Sequence, residues 1–176
     1  MQETPQQYTQ RIKGYIEGKD PMRVQQETHK KLQKLIKPLG KRQLSQRPEP
    51  GKWSIGEILA HLADAELVGS WRMRSIIGNN GVLVQAFDQD VWAATFGYAK
   101  RDPKVSLETF RVLRENNLRM LEALPENLWE NYGMHQERGQ ESIRHIVAMV
   151  AGHDLNHLGQ VERIAKAKGA KREQAA

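Results

Sequence analysis

The chain has 176 residues, enough for one domain with a hydrophobic core over residues 1–176 and too few for a second full domain. Hydrophobic residues make up 39% and charged residues 27%, a balance that fits a soluble globular protein and excludes a disordered one. The chain has no cysteine, which excludes disulfides and thiolate ligands, so any metal site must use His, Asp or Glu.

The distribution of apolar and basic residues predicts a cytoplasmic protein without a membrane segment. Apolar runs are a few residues long, whereas a spanning helix needs roughly 20, and the polar N-terminal segment is unlike a signal peptide. The positive charge behind the net +6 is scattered along the chain, and its two clusters, at residues 29–42 and 166–172, are interleaved at helical spacing or lie in a frayed end, as solvated faces do. No nucleic-acid motif accompanies it, so binding to nucleic acid is the weaker hypothesis.

Apolar residues recur at intervals of three and four in four long segments, which predicts an all-α, antiparallel four-helix bundle. A short helix is predicted over residues 4–16 and the first long helix over residues 21–36, since proline opens each. The second long helix is predicted from Ser54, which forms a capping box with Glu57, to about Gly78.

The second half of the chain contains a long connection and two further helices. The connection over residues 79–104 is rich in aromatic residues and is predicted to contain a short helix at residues 88–94. The third long helix is predicted over residues 106–124, where Pro125 stops it, and the fourth over residues 140–167.

Two histidines interrupt the apolar stripe of the fourth helix. His153 and His157 are four residues apart, so they share one helix face and can chelate one ion. His61, on the second long helix, is the candidate third ligand. A buried imidazole needs partners for its ring nitrogens, and a metal satisfies one nitrogen on each ring. The pattern alone leaves a second interpretation open, that of core histidines satisfied by hydrogen bonds.

Several other polar residues lie near these positions or resemble candidate ligands. Asp154 could accept a hydrogen bond from a ligand's second nitrogen or point into solvent. Asp64 and Glu66 are candidates for a fourth ligand or a general base, although acidic residues on a helix flank are more often solvated. His135 lies in a loop bracketed by glycines, where a surface position is expected and a place in a pocket is the alternative.

The chain resembles the DinB and YfiT-like superfamily of four-helix bundles over nearly its whole length. Each motif that carries the resemblance is short, and their common order and spacing make it specific. The motifs are GKWS at residues 51–54, ILAHLADAE at 58–66, FDQDVW at 87–92, HQERG at 135–139 and HDLNHLGQ at 153–160.

The resemblance implies a metal-dependent enzyme that acts on a small molecule. The superfamily's ligand histidines match His61, His153 and His157, which implies one divalent ion, with zinc or nickel expected first and iron or manganese possible. The ion activates water or a low-molecular-weight thiol in relatives, so a hydrolase and a thiol S-transferase are both expected. A homodimer is also implied. A non-catalytic metal-binding bundle is the alternative.

The substrate pocket is expected to lie between the helices. Four residues are the candidates to line it: Arg72, Phe87, Asp88 and Trp92.

Overall fold

Helices make up most of the computed structural model, which describes residues 3–173 and the side chains of residues 3–167. None of the described helices is long and apolar enough to cross a membrane. The helices are α1 (Pro5–Ile16), α2 (Pro21–Ile36), α3 (Lys41–Ser45), α4 (Ile55–Gly78), α5 (Gln89–Thr95), α6 (Pro103–Glu122) and α7 (Ile143–Glu173). Short 3-10 turns at Tyr98–Lys100 and Glu126–Leu128 and strands β1 (Leu83–Val84), β2 (Tyr132–His135) and β3 (Gly139–Ser142) complete the fold.

The four long helices form the bundle that the sequence predicts. Helix α2 packs against α6 and α7, and α4 packs against the same two helices, so α2 and α4 lie on opposite corners. Helices α4 and α7 run antiparallel, since Gly69 lies beside Val150 while the earlier His61 lies beside the later His157. The all-α four-helix bundle is therefore confirmed, although not every pair of neighbouring helices is antiparallel.

Helices α4 and α6 are neighbours that run in the same direction. Gly56 lies against Pro103 near the start of both helices, and Arg74 donates a hydrogen bond to Asn117 (2.8 Å) further along both. Parallel neighbours cannot be joined by a tight turn, because the chain must return along the length of the bundle. Residues 79–102 make that return, which explains the long connection seen in the sequence.

The bundle interior is layered. One apolar cluster lies where α4 and α6 begin, and includes Ile58, Leu62 and Phe110. A second lies where they end, and includes Ile76 and Leu121. Buried polar residues occupy the interior between these clusters, namely Gln25, Thr28, His61, Glu66, Arg114, Asn117, Asp154 and His157.

The helix starts follow local capping signals, one of which the sequence reading missed. Ser54 and Glu57 form the predicted capping box, with each side chain bonded to the other's backbone N–H. The third long helix begins at Pro103 rather than the predicted Ser106. The Asp102 carboxylate accepts hydrogen bonds from the first backbone N–H groups, and proline suits the first helical position.

A small sheet and helix α3 are additions to the predicted elements. Strand β1 pairs in parallel with β2, and β2 pairs antiparallel with β3. The fourth long helix therefore begins at Ile143 rather than at the predicted Gln140, because residues 139–142 belong to β3. The short helix predicted at residues 88–94 is present as α5, one residue later.

Helix α1 packs tightly across α7. A Cβ atom at Gly152 would lie 2.3 Å from the carbonyl oxygen of Ile12, so only glycine permits this approach. Arg11, the residue before Ile12 on α1, donates a hydrogen bond to the Asn156 side chain (3.3 Å). The contact brings α1 over the part of α7 that carries His153.

Candidate metal centre

Three histidines meet where α4 crosses the middle of α7. The Nε2 atom of His153 lies 2.9 Å from Nε2 of His61 and 3.1 Å from Nε2 of His157. One ligand atom from each ring lies within 4.8 Å of the others. His61 is 1% and His157 6% exposed, and His153 is partly buried. The three residues that the sequence proposes as ligands are thus brought together.

Hydrogen bonds between the rings cannot satisfy all three nitrogens at once. A ring nitrogen carries either one N–H or one in-plane lone pair, so Nε2 of His153 can make only one good hydrogen bond, yet it has two nitrogen neighbours. One ion can accept a lone pair from all three rings. Two nitrogens bound to a tetrahedral zinc at about 2.05 Å lie about 3.3 Å apart, close to the observed spacings. The geometry therefore fits a metal ion.

The protonation state of the three rings also fits a metal ion. Burial lowers the pKa of His61 and of His153 well below the ordinary value, and the neighbouring rings lower each further. Burial likewise lowers the pKa of His157 to about 4. All three rings are therefore neutral at pH 7, the form in which imidazole binds metals.

Neighbouring side chains orient two of the rings. The Nδ1 atom of His157 lies 3.1 Å from Oε1 of Gln160, so this nitrogen carries the proton and Nε2 is left with its lone pair toward the other rings. The Trp53 ring lies 5.0 Å from the His61 ring, centroid to centroid, and covers it. The Nδ1 atom of His61 is buried and has no hydrogen-bond partner among the described residues.

Comparison with known proteins places the chain in a family. The model of the DinB superfamily matches residues 26–161, more than three quarters of the chain, and this stretch includes all three histidines. The chain belongs to the DinB superfamily.

The relatives of this DinB chain carry names that refer to a metal. It is 28% identical over 136 residues to "Putative metal-dependent hydrolase OB0413" of Oceanobacillus iheyensis, covering 75% of this chain and 76% of the relative. A second protein of that organism, "Putative metal-dependent hydrolase OB0782", is 24% identical over 137 residues, covering 78% and 79%. The relatives match similar shares of the chain, so the similarity extends across the bundle.

A solved structure confirms the fold of this DinB chain. It is that of YfiT from Bacillus subtilis, whose description is "a probable metal-dependent hydrolase with an unusual four-helix bundle topology". The TM-score is 0.79 at 16% identity, over 94% of this chain and 90% of that one. At this identity the likeness concerns the fold.

A buried arginine organises the polar layer of the DinB bundle beside the histidines. Arg114 is 2% exposed, and its guanidinium donates to Asp154 and to Glu66 (2.7 Å). Asn117 donates to the second oxygen of Glu66 (2.7 Å). Burial alone would lower the pKa of Arg114, but the charges of Asp154 and Glu66 outweigh it and raise that pKa. The sequence reading missed this network, although Phe110, Arg114, Asn117 and Leu121 form a helical stripe with polar residues at its centre.

The sequence suggests that Asp154 either accepts a hydrogen bond from a ligand ring or faces solvent, and the structure of the described residues shows neither. Its carboxylate is 1% exposed and bonds to Arg114, so it neither faces solvent nor makes a hydrogen bond to a ligand ring in the described part of the chain. The reason is that α1, α2 and α4 pack against α7, and Asp154 points into the interior toward Arg114 of α6. Burial raises the pKa of Asp154, although the Arg114 charge opposes this effect.

Asp64 and Glu66 do not belong to the cluster of histidine ligand atoms. Asp64 accepts hydrogen bonds from the Tyr98 hydroxyl and the Arg101 guanidinium, both at 2.9 Å. Glu66 is engaged through both oxygens as described above. The hypothesis of a fourth ligand or general base therefore competes with anchoring roles that the structure shows for both residues.

Three of the four expected pocket residues are close together. The Arg72 guanidinium lies 5.8 Å from the Phe87 ring centroid, and the Phe87 and Trp92 rings are 4.9 Å apart. Asp88 is exposed and caps α5, accepting hydrogen bonds from the N–H groups of its first turn. The sequence expectation for His135 is corrected: it is 3% exposed, because β2 carries it into the sheet rather than into a surface loop.

Proposed function

We propose that this DinB chain binds one divalent metal ion through the Nε2 atoms of His61, His153 and His157 and is an enzyme acting on a small molecule. The observation that carries the proposal is the convergence of three neutral, enclosed Nε2 atoms, which one cation can satisfy and protons cannot. The names of the relatives, metal-dependent hydrolases, support it.

The residues around the site have distinct tasks in this proposal. A divalent ion held there supplies Lewis-acid chemistry, which polarises an electrophile or lowers the pKa of a bound water or thiol. Three histidine ligands would leave a further ligand position for water or substrate, as catalytic sites require. Gln160 fixes the His157 tautomer, and Trp53 shields the His61 ring from water. Hydrolysis and transfer of a low-molecular-weight thiol are the two reactions that this arrangement supports.

The ligand set ranks the candidate metals by preference. Three imidazoles suit zinc and nickel best, and iron or manganese less well, since manganese prefers oxygen ligands. The second candidate function is a purely structural metal. The position of the histidines favours it, because an ion there ties α4 to α7 across the bundle.

One experiment tests the central proposal. Purified protein of known metal content is assayed against a panel of esters, amides and thiol–electrophile pairs, beside His157→Ala and a control, His29→Ala, which removes a partly buried histidine of α2. We expect about one equivalent of metal in the wild type and the control, and turnover that the His157→Ala variant loses. Full metal content and activity in His157→Ala would overturn the proposal. Bound metal without any turnover would favour the structural role.

The homodimer and the cytoplasmic location stay predictions. Leu67 and Trp71, one turn apart on α4, are 52% and 72% exposed, and this apolar surface supports a second copy as partner. Size-exclusion chromatography with light scattering tests the prediction, with Trp71→Glu expected to shift a dimer toward the monomer.

A further inference from the structure

Two buried N–H donors lie near the small sheet and have no acceptor among the described residues. They are Nε of Arg72 and a ring nitrogen of His135, the Nε2 atom. A buried donor without an acceptor is unfavourable, so two of them in one region require an explanation. The HQERG motif at residues 135–139, which includes His135, has no part in the metal centre.

His135 is held as a neutral donor. The backbone N–H of Glu137 donates to Nδ1 (3.2 Å), which places the ring proton on Nε2. Burial, followed by the charges of Arg138 and Arg72, lowers the pKa of His135 to about 4, so the ring is uncharged at pH 7. The ring is 3% exposed. The site therefore presents one fixed N–H group.

Arg72 supplies a positive charge to the same region. Its Nη2 atom donates to the carbonyl of Gln85, and Gln85 follows Val84, which pairs with His135 across the sheet. Arg72 makes no ion pair with a carboxylate of the described residues. Burial, and then the charge of Arg138, lowers its pKa to about 10. The guanidinium is thus a charged group in a partly buried place with no bonded counter-ion.

Two carboxylates lie near Arg72, since the charges of Glu141 and Glu137 raise its pKa, but neither forms a hydrogen bond or ion pair with it among the described residues. The carboxylate of Glu141 is bonded to Arg138 (2.6 Å), so its charge is already paired. Arg138 also borders a cavity of about 340 Å³ whose other lining residues belong to α1. A small molecule has room to approach Arg138 there.

We propose that Arg72 and His135 form a subsite for an oxyanion, a carboxylate or phosphate group carried by the substrate, with Arg138 at its rim. A guanidinium and a neighbouring N–H match the two or more acceptor lone pairs of such a group. The substrate class in this statement rests on the proposed function, whereas the anion site itself does not depend on the metal.

The position of the subsite relative to the metal centre sets the shape of the substrate. Arg72 follows His61 by 11 residues, which is about three turns, so both residues lie on the same face of α4. The separation along the helix axis is about 16 Å at 1.5 Å per residue. A substrate that uses both sites therefore carries its negative group at a distance from its reacting group.

Binding of inorganic phosphate to the metal-loaded protein, measured by isothermal titration calorimetry, tests the subsite. We expect Arg72→Gln and His135→Phe each to weaken phosphate binding by about tenfold, the effect of losing a hydrogen bond that involves a charged group. Arg72→Lys keeps the charge and loses Nε, so a smaller loss is expected. Arg119→Gln, an exposed change of equal charge on α6, is the control and should bind as the wild type does.

The His157→Ala variant separates this proposal from that of the metal centre. Phosphate that binds at Arg72 binds equally well to His157→Ala, whereas phosphate on the metal does not. Three outcomes would each overturn the subsite. Arg72→Gln and His135→Phe could both bind phosphate as tightly as the wild type, only His157→Ala could lose binding, or the wild type could bind no phosphate. If Arg72→Gln is unfolded by circular dichroism, His135→Phe and Arg72→Lys carry the test. Metal-free, inactive protein that still binds phosphate through Arg72 would overturn the metal-enzyme proposal and leave the subsite standing.

Discussion

The Arg114 guanidinium and the Asp154 carboxylate form a fully buried ion pair one residue away from His153 in the sequence. The pair lies in the polar layer between two apolar clusters, where water cannot replace either partner. The candidate metal centre thus lies beside a charged, buried part of the bundle.

The first prediction concerns removal of the buried positive charge of Arg114. Arg114→Met leaves Asp154 and Glu66 without their shared partner, and we expect it to lower the free energy of unfolding by about 3 to 5 kcal/mol, measured by urea denaturation. The control is Arg111→Met on the same helix, because Arg111 also bridges two carboxylates but in solvent. Little change is expected there. Equal losses in both variants would show that burial of the pair is unimportant.

The second prediction concerns the close contact between α1 and α7. Gly152→Ala forces a methyl group against the Ile12 backbone, so we expect a loss of about 2 kcal/mol of unfolding free energy. Gly159→Ala, also on α7, meets only the end of the Arg163 side chain at 3.5 Å. It should leave stability unchanged or raise it by up to about 1 kcal/mol, because alanine favours helix. Thermal unfolding of the two variants side by side decides the matter.

Metal removal provides the third prediction. An ion that binds only the folded chain stabilises it by about 2.7 kcal/mol when its free concentration is 100 times its Kd. Treatment with EDTA should therefore lower the Tm of the wild type, and re-addition of zinc or nickel should restore it. In His157→Ala neither treatment should move the Tm by much. A chelation effect of wild-type size in that variant would locate the metal elsewhere.

The fourth prediction is a dependence of stability on pH that involves His135. Burial lowers the pKa of His135 to about 4 in the folded chain, while the unfolded chain takes up the proton near pH 6.5. Between these values the unfolded state binds more protons, so this histidine makes folding less favourable as the pH falls from about 6.5 to 4. His135→Phe removes that contribution. The difference in unfolding free energy between wild type and variant should therefore change across this window and be flat above pH 7.

The sequence predicts most of the scaffold, and the exceptions depend on pairing and packing between segments of the chain. The Ser54 capping box is readable because its two partners are three residues apart. The strand at residues 139–142 cannot be predicted from the sequence, because its stability comes from pairing with Tyr132–His135. So short a strand also shows no alternation of apolar and polar residues. The parallel course of α4 and α6 is likewise a property of packing.

The three candidate ligands can be detected in the sequence for a different reason than the polar residues around them. His153 and His157 interrupt an apolar stripe at chelating spacing, which local pattern reveals. His61 is a candidate from the pattern of its own helix, and the family resemblance is what matches it to the other two histidines, which are about 90 residues away. Asp154 was misplaced because its real partner, Arg114, lies on another helix, and a helical wheel of α7 alone cannot show which of its faces is enclosed.

The span between the ligands has a consequence for a chain that lacks cysteine. His61 and His153 are 92 residues apart, so an ion bound by both closes a loop of more than half the protein. By the chain-entropy estimate, a permanent link across a loop of that size restricts the unfolded chain by about 4 to 5 kcal/mol. The histidines can thus serve as a reversible staple, one that a reducing environment cannot cut and that competition for the ion can open.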